Sequence, residues 1–175
     1  MVIQKKMIHV KELMLIFASI ENLILQLTQR EYSMPLLILS QSSISQHIRH
    51  ILEFYHEFLV GMQRKEIDFD LRKRSKLLEV DREYTLKFIA SLQNQFQMGI
   101  EDFPLSVRVS THEKEIRPTL NTSSFRELSY CNEHSIHHMA FIKIALTHSF
   151  PHITVPEGFG IAYSTQYASQ FTSSN

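Results

Sequence analysis

Apolar positions along this chain recur mostly at intervals of three and four residues, the spacing of one face of a helix. From about Val10 to Arg30, the residues Leu13, Ile16, Phe17, Ile20, Ile24 and Leu27 form such a stripe and predict a first amphipathic helix. Tyr32-Ser33-Met34-Pro35 opens a connection that contains a short apolar run, Pro35 to Leu39. A second helix is predicted to start near Gln41 to Ser43, where the serines are good N-caps, and to run to about Met62, stopping around Gly61. Its inner face is Ile44, Ile48, Ile51, Phe54, Tyr55, Phe58, Leu59 and Met62.

A charge-dense link from Arg64 to Arg74 follows, and its mixed signs read as solvated surface, with Arg72 and Arg74 as the candidates to border a pocket. The third helix is predicted over Ser75 to Phe96, with a break near Asp81 and an end at Gly99. After Pro104 the period changes to two. Leu105-Ser106-Val107-Arg108-Val109 and Glu115-Ile116-Arg117 predict a small β-hairpin in the crossover between helices three and four. Ser124 and Glu127 have capping-box spacing at the head of a last helix that runs to Phe150 and stops at Pro151. The segment Val155 to Ala162 is too apolar for a free linker and is expected to pack on the helices. The expectation is one all-α domain over residues 1–165, a four-helix bundle with a hairpin in the helix 3–4 crossover, followed by a disordered tail at 166–175.

Composition narrows the functional classes. A chain of 175 residues buries a sizeable core without disulfides. Lysine plus arginine number 18 and aspartate plus glutamate 18, so no global field draws the protein to nucleic acid or to an anionic membrane, and neither is expected as a partner. One cysteine, Cys131, fits a reducing compartment, and a cytoplasmic location is expected. The charged residues His9, Lys11, Glu12 and Glu21 argue against a signal peptide, and no uncharged apolar run approaches the roughly 20 residues that span a bilayer.

The chemistry concentrates in histidines. His134 and His138, in Glu133-His134-Ser135-Ile136-His137-His138-Met139, are four apart and share one helix face with Leu128, Cys131, Phe141, Ile142, Ala145 and Leu146, while His137 lies on the edge of that arc. His47 and His50 sit on the second predicted helix. Periodicity places His47 within its apolar arc and His50 on the margin, so by itself it chooses His47, although a site near a bundle's end can be lined by residues at the edge of the arc. Burying several imidazoles is costly unless each finds a partner, and one divalent cation satisfies three together.

The segments Ser43-Ile44-Ser45-Gln46-His47-Ile48-Arg49-His50-Ile51-Leu52-Glu53, Asp70-Leu71-Arg72-Lys73-Arg74, Arg126-Glu127-Leu128 and Glu133-His134-Ser135-Ile136-His137-His138-Met139-Ala140 resemble, in this order, the DinB-like superfamily, which includes the YfiT-type proteins. The closing Phe159-Gly160-Ile161-Ala162-Tyr163-Ser164-Thr165 is similar to the tail of one DinB branch, with Tyr163 in place of an expected proline and Ser45 in place of an expected glycine. The resemblance covers roughly residues 40 to 165. It implies a four-helix bundle in which one histidine of helix two and an i, i+4 pair of helix four bind a divalent metal, and matching from Ser43 puts the ligands at His50, His134 and His138. It also implies a homodimer and a small-molecule substrate. Members include metal-dependent thiol S-transferases, isomerases using a low-molecular-weight thiol, and hydrolases, beside many with no assigned activity.

Three imidazoles would leave zinc, nickel or iron(II) with an open coordination position, the catalytic pattern. No catalytic general base is evident. Glu133 projects about 100° from His134, and Glu53, one turn past His50, is a candidate to orient it by a hydrogen bond. Cys131, one turn before His134, is a candidate fourth ligand that would close the site, against its simpler reading as a small buried hydrophobe. Tyr55, Tyr84 and Tyr130 are pocket candidates or core. The competing class is a non-catalytic interaction or stress-response module with structural or interfacial histidines. A di-iron bundle fits poorly, because the last helix offers no Glu-x-x-His pair.

Overall fold

The computed structural model describes residues 2–113 and 115–172. Helix α1 (Val2–Gln26) carries the first apolar stripe, but it ends before Thr28. There Thr28 accepts the Glu31 amide on its hydroxyl, at 3.3 Å, while the Glu31 carboxylate accepts the Thr28 amide at 2.8 Å. This reciprocal cap starts a separate short helix, α2 (Gln29–Ser33). Buried Tyr32 on α2 donates its hydroxyl hydrogen to the Leu78 carbonyl, at 2.7 Å.

Helix α3 (Ile44–Arg64) begins with the same device. Ser43 and Gln46 cap each other, both contacts at 3.2 Å, and fix the start of the helix. The helix runs past Gly61 and stops at Lys65, which takes a left-handed conformation, φ 58°. Gly61 serves another purpose. A Cβ there would lie 2.5 Å from Ile67 Cγ1 and 2.9 Å from the Glu66 carbonyl, so only glycine lets strand β1 (Glu66–Ile67) double back across α3.

The third predicted helix is cut at Asp81, whose extended backbone and side-chain cap on the Tyr84 amide separate α4 (Leu77–Val80) from α5 (Arg82–Gln97). Strands β2 (Pro104–Arg108) and β3 (Thr119–Ser123) pair antiparallel, with Val107 opposite Leu120. The second strand of the expected hairpin therefore lies two to six residues later than Glu115-Ile116-Arg117. Its signal was weak because β3 is a sheet edge with no buried position, whereas β2 buries Leu105 and Val107. β1 pairs with β2 in parallel and makes the sheet three-stranded and mixed.

The last long helix, α6 (Ser124–Ser149), is capped by Ser123, which accepts the Arg126 amide. The expected Ser124–Glu127 box does not form. Ser124 instead donates to the Glu101 carbonyl, and Glu127 accepts from Thr122. A final helix, α7 (Tyr163–Thr172), occupies most of the stretch expected to be a disordered tail, and residues 173–175 lie outside the described residues.

The expected four-helix bundle is thus overturned. The chain is mostly helical, 62%, but among the described residues it forms seven helices and a three-stranded mixed sheet. The extra elements arise where side-chain caps at Thr28 and Asp81 interrupt apolar stripes, and where Gly61 admits β1. Helix α3 packs along α6, and α1 packs on α5 and α6. Phe17, Ile20, Ile48, Tyr55, Phe58, Phe96, Leu128, Cys131 and Leu146 fill the space between them. The apolar segment from Val155 to Ala162 does dock through Phe159, which is buried, and Ile153 just before it is buried as well. No helix among the described residues is long and apolar enough to cross a membrane.

Candidate metal centre

Helix α3, which the Ser43 cap starts, buries Ile44, Ile48, Ile51 and Tyr55, and this leaves His47 and His50 at the border facing α6. From α6, His134 and His138 rise towards the same border. Ligating nitrogens of His50, His134 and His138 all lie within 4.8 Å of one another, and all three side chains are half-buried. Metal–imidazole bonds are about 2.0–2.1 Å, so two ligands of a tetrahedral ion stand roughly 3.4 Å apart. A shared ion therefore needs only small side-chain rotations.

Two histidine pairs bridge the helices. His50 Nε2 lies 2.7 Å from His134 Nε2, and His47 Nδ1 lies 2.9 Å from His138 Nδ1. His47 is outside the triad. His137 sits edge-on to Phe141, ring centroids 4.9 Å apart and planes at 87°, and Glu133 is exposed. Cys131 is fully buried in the core, where burial pushes its thiol well up, and it does not join the cluster. Tyr55 is core as well, donating to Asn132 Oδ1 at 2.9 Å and accepting from Ser135 at 3.2 Å. Tyr84 packs on Phe88, away from the histidines.

Glu53 does not orient His50. Its Oε1 accepts the Ser75 amide at 2.6 Å, and Arg72 takes the place beside His50, donating from Nη2 to His50 Nδ1. A guanidinium has only donors, so this contact holds the His50 proton on Nε2, aimed at His134. Arg72 also donates to the Phe69 carbonyl at 2.8 Å, and its Nε stands 3.5 Å from Glu53 Oε2. That pair and Arg49 Nε are buried without a hydrogen bond. Arg72 was one of two cations marked in the charged link; what its position in the sequence could not show is that the link folds back over α3.

An aromatic wall, not marked in the sequence as part of the site, supports His134. Phe54 stacks on the imidazole at 4.4 Å and 17°, and Phe69 stacks on the other face of Phe54 at 4.8 Å and 6°. Phe54 is four residues after His50, which was the available signal. With Tyr130, whose ring lies 5.6 Å from His134, these two residues also line an adjoining cavity of about 370 Å3 that includes Val107, Leu120 and Arg126.

Burial and neighbouring cations hold the imidazoles neutral. Burial is the largest cause in each, pushing His50 down to about 2 with help from His138 and Arg72, His134 to about 4 with help from His137 and Arg72, and His138 to about 3 with help from His134 and His47. His47 is lowered too, first by burial and then by His137. Neutral nitrogens in a half-buried cluster, with no carboxylate among them, suit a borderline divalent ion and could hold one. In comparisons with known proteins, no family model, no curated protein and no solved structure matches this chain.

Proposed function

We propose that this chain binds one divalent transition metal, zinc, nickel or iron(II), through His50, His134 and His138, and acts on a small molecule as a metal-dependent thiol S-transferase or hydrolase. What carries the reading is the convergence of three histidines from two helices on a space of one ion's dimensions. The resemblance of the histidine segments to the DinB-like superfamily supports it. When bound, the ion supplies a Lewis acid that lowers the pKa of a water or a thiol.

The chain's own residues do the rest. Three neutral imidazoles donate lone pairs without cancelling charge, so the centre stays electropositive and favours an anionic ligand. Phe54, stacked between Phe69 and His134, restrains rotation of that imidazole. Among the described residues no carboxylate joins the cluster to act as a base. That favours a nucleophile acidic enough to ionise unaided, and a thiol ionises far more readily than water, which ranks thiol transfer above hydrolysis. A homodimer is part of the proposal, checked by light scattering.

Metal content of untagged protein, by inductively coupled plasma mass spectrometry, tests the reading beside alanine variants of the four histidines. About one metal per chain, lost in the His50, His134 and His138 variants, supports it, and turnover on a panel of low-molecular-weight thiols with electrophilic partners supports the activity. Metal bound without turnover turns the assignment towards a non-catalytic module. No uptake from zinc-, nickel- or iron(II)-supplemented buffer rejects the metal site.

A further inference from the structure

The fourth histidine is left without a role by the three-ligand reading, yet it is not a loose surface side chain. His47 is half-buried, its Nδ1 stands 2.9 Å from Nδ1 of His138, and Phe141 packs on its ring with centroids 5.7 Å apart and planes at 34°. His137 in turn braces Phe141. The ring is thereby held against His138.

Two neutral imidazoles facing each other through Nδ1 share one proton, and only two assignments exist. If His47 donates, His138 accepts at Nδ1 and must carry its own proton on Nε2. That nitrogen then presents a donor and no lone pair. If His138 donates, its Nε2 is stripped of the proton and becomes a ligand. An ion held at His138 Nε2, the nitrogen left free by the contact with His47, requires the second assignment, and that makes His47 the acceptor. We propose that His47 is a positioning residue of the metal centre, accepting the His138 Nδ1 proton through its own Nδ1 and so fixing the tautomer and ring direction in which His138 Nε2 ligates the ion. This inference rests on the metal reading above and deepens it.

The same contact argues against His47 as a fourth ligand. An ion on His47 Nδ1 would take the atom that bonds His138, and His47 is not among the nitrogens that gather within 4.8 Å. A site with His47 behind it keeps three protein ligands and an open position for substrate. The two helices also differ in how they prepare their ligands. His138 faces an acceptor at Nδ1, whereas His50 faces the guanidinium of Arg72. His47 therefore supports ligation on α6, whereas Nδ1 of His50 meets a donor, Arg72.

The test compares zinc affinity of the full chain, by competition with a chromophoric chelator, in the native protein, H47L and H47N. Asparagine keeps an acceptor oxygen near the position of Nδ1; leucine keeps bulk alone. H47L is expected to lose about 10- to 100-fold in affinity, the usual consequence of removing a hydrogen-bond partner of a ligating histidine, and H47N to recover most of it. Equal loss in both variants, or unchanged affinity in H47L, overturns the proposal while leaving the metal site standing. A native chain that takes up no zinc overturns the metal reading itself. Long-range proton–nitrogen NMR of zinc-loaded native protein gives a second readout that needs no variant: His138 protonated at Nδ1 is expected, and His138 with a bare Nδ1 overturns the assignment.

Discussion

Gly160→Ala isolates the docking of the apolar tail on α6. Gly160 has φ +67°, where an L-residue costs roughly 1–2 kcal/mol. A Cβ at this position would also lie 2.7 Å from both Cα and N of Ala140 and 2.9 Å from the Met139 carbonyl carbon. These are backbone atoms of a packed helix and cannot rotate aside, so the tail must withdraw until carbon contacts approach about 3.5–4.0 Å. Phe159, 2% exposed, moves with it and gives up part of a burial worth about 1.5–3 kcal/mol. The total is about 3 kcal/mol, combining the conformational and burial costs. Gly158→Ala is the internal control. Its φ is +76°, but the nearest atom to an added Cβ is the flexible Gln166 amide at 3.4 Å, so only the conformational cost, roughly 1–2 kcal/mol, applies. Urea denaturation of both variants beside the native protein measures the difference. Equal destabilisation by the two substitutions would refute the close approach of Gly160 to α6.

Replacing Arg72 by glutamine removes a cation and a donor that faces His50 Nδ1, which frees that nitrogen to carry the proton and leaves Nε2 bare, so zinc affinity is expected to rise by about tenfold; chelator competition reads this, and a fall would show that Arg72 supports ligation. Tyr55→Phe strips Asn132 and Ser135 of a shared buried partner and is expected to cost about 1–3 kcal/mol in denaturation, with no change in zinc stoichiometry. Asp68 is raised by burial, but bonds from Arg117 and from the Leu71 and Asp70 amides outweigh this and hold it below its ordinary 3.8. Its folded pKa is therefore depressed, so its contribution is present above the unfolded value and is lost as pH falls through the folded one. Asp68→Asn should flatten stability against pH below about 4, and an unchanged acid limb in thermal melts would count against the Asp68–Arg117 pair.

The two histidine motifs and their helices were legible because both signals are local. Ser42 and Ser43 are residues of the N-cap type next to the helix that Ser43 starts, and His134 with His138 is a spacing read four apart. The same locality explains the failures. Thr28 is an ordinary polar residue in a stripe that continues beyond it, so its cap left no sign of a full break; the break near Asp81 was expected, and α7 formed in the stretch expected to be a tail, so four helices became seven. Strand β3 buries no side chain completely, so it left no alternation to find.

Which residues could ligate was written in the chain; which of them meet was not. Periodicity favoured His47 over His50, the resemblance favoured His50, and the packing of α3 along α6 sends His50 to Nε2 of His134 and His47 to Nδ1 of His138. Arg72 lies 22 residues from His50, and its contact depends on the link between α3 and α4 folding back over the helix. Helical phase is set by neighbours a few residues away, whereas a tautomer or an ion's coordination depends on atoms from distant segments placed within a few tenths of an ångström, and that precision comes from tertiary packing alone.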